Sequence, residues 1–133
     1  MITNDQIEQL IAAAAAAREH AFARFSGRHV GAAVLTDQGE IISGANCEQS
    51  TIRSYCAERV ALCTAFAAGN RSVSALAVVS QEGVTPCGAC RQAIYDFCGN
   101  ITVIVARVDG SYICYQLDQL LPNPYSVHIS CGC

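Results

Sequence analysis

The sequence predicts an α/β protein, a three-layer α/β/α sandwich around a central five-stranded mixed sheet. Three observations predict it. Strand-like and helix-like stretches alternate through the middle of the chain, the arrangement of a sheet covered on both faces. Residues 73–80 are almost continuously apolar, which suits a strand buried between two helical layers. Hydrophobic residues make up 52% of the 133 positions and charged residues only 14%, so the chain can build a real core, unlike a disordered segment. That length predicts one domain, 1–133, with a tail from about residue 123.

Each element has its own signal. Thr3 and Gln6 have the spacing of a capping box, and Ile7, Leu10, Ile11 and Ala14 share one face, which predicts a first helix that stops by Gly27. Residues 30–36 read as a buried strand, 37–39 as a turn and 40–43 as a second strand. The stretch 45–55 is polar and loop-like. Val60, Leu62, Cys63 and Phe66 give a second helix, about 56–68, its apolar face, and Gly69 and Asn70 close it. After the strand at 73–80 and a loop to Pro86, a third helix spans about 87–98 and ends at Gly99. Two more strands, 101–106 and 112–117, join across Asp109 and Gly110. The predicted order is αββαβαββ, then a short helical turn and the tail.

Charge and composition exclude several function classes. The formal net charge is -3, which gives no electrostatic pull on nucleic acid or an anionic membrane. All eight basic residues are Arg, which excludes a Schiff-base lysine and a phosphate-loop lysine. No apolar run approaches the roughly 18 residues of a membrane span. The first residues lack the basic, apolar pattern of a secretory leader. Nine cysteines, an odd count, fit a cytoplasmic protein with reduced thiols better than a disulfide framework. In that setting, clustered cysteines point to metal or catalysis.

Two motifs carry that chemistry: Cys56-Ala57-Glu58, and Pro86-Cys87-Gly88-Ala89-Cys90 some 31 positions later. Each opens a predicted helix, where free N–H groups and a partial positive charge favour a thiolate. Cys87 and Cys90 can converge on one ion. Cys56 can add a third ligand if the two helices start side by side on neighbouring parallel strands. Three protein ligands leave one tetrahedral position open, the pattern of a catalytic Zn2+ site. Taken alone, the Cys87/Cys90 pair is equally a redox pair or half of a structural site. Glu58 follows Cys56 closely enough to exchange protons with a zinc-activated water. Arg59 and Arg91 are candidates to hydrogen-bond the sulfurs, the alternative being plain solvation.

A Cys-x-Glu followed by Pro-Cys-x-x-Cys is the signature of zinc nucleobase deaminases. The sequence resembles the small cytidine deaminase family, of the type with three cysteine ligands. The resemblance rests on Val30-Gly31-Ala32-Ala33, Asn46 and Glu48, Cys56-Ala57-Glu58-Arg59, Pro86 to Gln92, and Leu120-Leu121-Pro122. It implies zinc on Cys56, Cys87 and Cys90, with Glu58 as the proton shuttle. It further implies sugar contacts from Asn46 and Glu48 and a base contact from the Ala57 backbone. The family is homotetrameric, and an aromatic after Leu-Leu-Pro closes a neighbouring subunit's site; Tyr125 holds that position. The implied partner is a small nucleoside, with no nucleic acid and no membrane.

Arg28 stands where the family places a Phe bordering the nucleoside. A guanidinium can stack there or meet an anionic substrate group. The rival readings are a deaminase of a modified cytosine nucleoside such as blasticidin S, and a zinc-stabilised binding protein without catalysis. Cys63, Cys98 and Cys114 are expected in the core and Cys47 as inert packing. Cys131 and Cys133 are expected in a flexible tail. His20, His29 and His128 are expected at the surface or hydrogen-bonded.

Overall fold

The computed structural model describes residues 1–51 and 54–127. Cys131, Cys133 and His128 lie outside them. The elements are α1 (Asn4–Arg18), β1 (Gly31–Thr36), β2 (Ile41–Ala45), α2 (Ala57–Ala67), β3 (Val73–Ser80), α3 (Gly88–Cys98), β4 (Thr102–Arg107), β5 (Tyr112–Gln116) and α4 (Leu117–Leu120). The five strands form one mixed sheet in the order β2-β1-β3-β4-β5, in which only β3 and β4 pair in parallel.

Side-chain alternation along the strands builds the three layers. Ala33 and Leu35 of β1, with Ala75, Ala77 and Val79 of β3, meet Ile7, Leu10 and Ala14 of α1. Their neighbours Ala32, Val34, Leu76 and Val78 face the other way, onto Ala57, Ala61, Leu62 and Ala65 of α2 and Ile94 of α3. Small residues let the helices come close. A Cβ on Gly31 would stand 1.9 Å from the Ala14 carbonyl oxygen, and one on Gly44 would stand 2.7 Å from the Ala61 nitrogen. Both glycines are therefore required by close approach of a helix to the sheet.

The Thr3 capping box is present in both directions. The first helix, however, ends at Arg18 rather than near Gly27. Phe22 pairs instead with the segment after β2, through Phe22 N–H to the Asn46 carbonyl and Glu48 N–H to the Phe22 carbonyl, both 2.9 Å. These bonds require extended chain. The parallel-neighbour expectation also fails. β1 lies between β2 and β3, antiparallel to both, yet α2 and α3 still start on the same face and pack together. Of the cysteines expected in the core, Cys98 is half-buried there, whereas Cys63 and Cys114 are exposed. Cys63 is on the outer side of α2, and Cys114 is on the edge strand β5, exposed along most of its length. Among the described residues, no helix is long and apolar enough to cross a membrane.

Candidate active site

Cys56 and Cys87 are the residues that cap the N-termini of α2 and α3, and Cys90 lies in the first turn of α3. Each capping thiol therefore sits where backbone N–H groups have no intrahelical acceptor. The three sulfurs lie within 4.8 Å of one another. Cys56 and Cys87 are 3.8 Å apart. A tetrahedral site with Zn–S bonds of about 2.3 Å needs sulfurs roughly 3.8 Å apart. The donor set and its spacing fit Zn2+, and among the described residues the cluster contains three protein donors and no fourth.

The electrostatics of the cluster favour a thiolate at Cys56. Its pKa falls to about 5, first through the hydrogen bond shared with Cys90 and then through the Arg59 guanidinium. The Cys90 thiol is driven upward by that same bond and by burial. Arg59 Nη2 donates to Cys56 Sγ at 3.3 Å and to the Ser54 carbonyl at 3.3 Å. Its Nε is buried without a partner among the described residues. Arg91 does not reach a sulfur. It donates to the Pro86 carbonyl (2.7 Å), the Leu120 carbonyl (2.8 Å) and Thr85 Oγ1 (2.8 Å). The helical turn past Cys90 directs it toward α4, so it braces the loop that carries Cys87.

Glu58 lies in the first turn of α2 and is 5% exposed. Burial pushes its carboxyl up to about 7, against the opposing effect of its own backbone N–H, and the nearby Cys56 charge adds to the rise. Glu58, Cys56, Cys87 and Ala57 line one cavity of about 300 Å³ with Asn46, Glu48 and Arg28. Cys90 is not in this lining but joins it through the sulfur cluster, so the sequence-predicted residues converge with Tyr125 as the exception. Tyr125 is not among the residues lining this cavity, and the residue is 73% exposed.

Asn46 and Glu48 also shape the wall they belong to. Asn46 accepts from the Val30 N–H (2.9 Å) and donates to the Arg28 carbonyl (2.8 Å). Glu48 accepts from the backbone N–H groups of Phe25 and Ser26, and from the Ser26 hydroxyl. The Ser26 contacts hold its carboxyl below the usual range. Sequence reasoning missed Ser26 and Ser54 as cavity residues. A lone serine in a loop has no periodicity or spacing that would mark it.

Residues 4–106 match the family model for the cytidine and deoxycytidylate deaminase zinc-binding region. A cytidine deaminase of Sporosarcina psychrophila is 44% identical over 124 residues, covering 90% of this chain and 91% of that protein. A blasticidin-S deaminase of Bacillus cereus is 31% identical over 109 residues, covering 74% of this chain and 77% of that one. The crystal structure of a cytidine deaminase from Burkholderia pseudomallei superposes with a TM-score of 0.85 at 37% identity, covering 93% of this chain and all of that one. A matched region of that extent, together with a three-cysteine cluster spaced for zinc, places the chain in the cytidine and deoxycytidylate deaminase family of zinc-dependent hydrolytic deaminases.

Proposed function

We propose that this enzyme converts cytidine and 2′-deoxycytidine to uridine and 2′-deoxyuridine, adding water and releasing ammonia, with Cys56, Cys87 and Cys90 as its zinc ligands. The observation that carries this reading is the buried carboxyl of Glu58 beside the cysteine cluster, inside a cavity with polar groups along its wall. A purely structural zinc site has no use for a buried carboxyl beside its ligands, which disfavours a non-catalytic zinc protein. When bound, zinc supplies a hydroxide nucleophile near neutral pH.

Glu58 takes a proton from the attacking water and delivers it to the ring nitrogen beside the amino-bearing carbon. It then takes the proton left on the added hydroxyl and passes it to the amine, which departs as ammonia as the C–N bond breaks and the carbonyl forms. Its elevated pKa suits a group that both accepts and returns a proton. The backbone N–H of Ala57, in the first turn of α2, contacts the base. Asn46 and Glu48 read the sugar hydroxyls with the lone pairs and N–H left over from bracing the loop. Tyr125 closes the site of a neighbouring subunit in a homotetramer, a role in keeping with its exposure. The seven free cysteines among the described residues suit a cytoplasmic setting.

A second reading, deamination of blasticidin S, is favoured by Arg28 in the cavity wall and by the 31% identical relative. Ammonia release from cytidine, 2′-deoxycytidine and blasticidin S separates the two. The main reading expects the plain nucleosides to react with the higher kcat/KM. Turnover of blasticidin S alone would replace it with the second.

A further inference from the structure

The cavity that holds Glu58 has a neighbour. A second cleft of about 270 Å³ shares Arg28 and Val30 with it and is otherwise lined by Arg18, Gly27, His29, Ser80, Gln81 and Glu82. Arg28 stands at the boundary between the two. Its carbonyl is tied to Asn46, which fixes its backbone beside Asn46 on the wall of the first cavity, the end proposed for the sugar. Its guanidinium makes no hydrogen bond among the described residues and forms one ion pair there, with Glu82 Oε2 at 3.7 Å. That distance is too long for a hydrogen bond, and both side chains are about 60% exposed. The other active-site arginines are committed, Arg59 to Cys56 and Ser54 and Arg91 to three oxygens. Arg18 uses Nε on the His29 carbonyl at 2.9 Å. The boundary thus offers an uncommitted planar donor, with Arg18 lining the same cleft, opposed by one displaceable carboxylate.

We propose that Arg28 and Glu82 form a charge-selective rim, at which an anionic group on the sugar side of a cytosine nucleoside replaces Glu82 as the partner of Arg28. The ligand chemistry is a phosphate or carboxylate attached to the sugar. This deepens the proposed function and rests on it. A guanidinium binds either anion through paired N–H donors, and those bonds are stronger than the exposed Arg28–Glu82 pair they displace. Glu82 acts as a competitor, occupying Arg28 when the substrate is neutral.

The test is the ratio of kcat/KM for a charged nucleoside to that for cytidine, measured with zinc-loaded wild type, Arg28→Phe and Glu82→Gln. Cytidine 5′-monophosphate and a 5′-carboxylate analogue of cytidine are the two charged arms, and they distinguish phosphate from carboxylate as the group recognised. Arg28→Phe is expected to lower the ratio about tenfold or more in at least one arm, the scale of hydrogen bonds to charged groups. Glu82→Gln is expected to raise the ratio about two- to fivefold, the scale of an exposed ion pair. Ratios unchanged in both variants, with cytidine turned over, would overturn the rim alone. Absence of turnover on every cytosine nucleoside would overturn the rim and the proposed function together.

Discussion

Gln92 holds Tyr125 by both of its backbone groups: the Gln92 side chain donates to the Tyr125 carbonyl at 2.8 Å and accepts from the Tyr125 N–H at 3.1 Å. Gln92 lies two positions past Cys90, on the helix that carries Cys90 and is capped by Cys87. The segment after α4 is therefore docked on α3, and the exposed Tyr125 ring is presented from a fixed backbone.

Replacing Gln92 with Ala should free that segment. Faster hydrogen exchange at the Tyr125 amide is expected, with a loss of about 1 kcal/mol in unfolding free energy, since the two bonds are exposed. Gln92→Glu keeps the acceptor and loses the donor, so it should restore only part of the protection. Exchange mass spectrometry reads both variants.

Glu48 predicts an acid-sensitive loop. Its bonds to Ser26 and Phe25 lower its carboxyl pKa in the folded state. A group with a depressed folded pKa stabilises the fold above its unfolded value, near 4.5, and loses that contribution as pH falls through the lower folded value. Wild type should therefore lose stability on acidification below about 4.5 more steeply than Glu48→Gln. Thermal melts of the two proteins across that range compare the slopes directly.

The cysteine cluster predicts a metal stoichiometry and its chemical consequence. One zinc per chain is expected by elemental analysis. Chelation should unmask the thiols of Cys56, Cys87 and Cys90 to a thiol reagent, with Cys56 reacting ahead of Cys90 because its pKa is driven down and that of Cys90 up. Cys90→Ala should lose zinc. Arg59→Ala should retain the ligands but bind the metal less tightly, by about 10–100-fold, as outer partners of metal ligands do.

Much of this was legible in the sequence, and the exceptions have physical causes. Residues 73–80 were readable as a strand because an apolar run covered on both faces needs no alternation, and β3 has those same bounds. The clustered thiols were readable because they are spaced by helix starts. The end of α1 was not, because it is set by the pairing of Phe22 with residues far along the chain. Arg59 and Arg91 follow their motifs in the same way, yet only Arg59 reaches a sulfur; the packing of α4 against α3 decides that, and no local pattern encodes it. Cys63 and Cys114 fit apolar patterns in sequence, but they fall on surfaces that the chain alone leaves open. Glu82 was invisible because its significance lies in a contact with Arg28, 54 positions away.

The central claim is that Glu58 moves the protons of a zinc-dependent deamination. The most direct measurement is ammonia and uridine release from cytidine by zinc-loaded wild type and zinc-loaded Glu58→Gln. The two products should form in equal amounts with wild type. The Gln variant should keep its zinc and its fold and lose about 10²–10⁴-fold or more in kcat, the contribution of a positioned acid–base group. A zinc-loaded Gln variant that retains near-normal turnover would contradict the account.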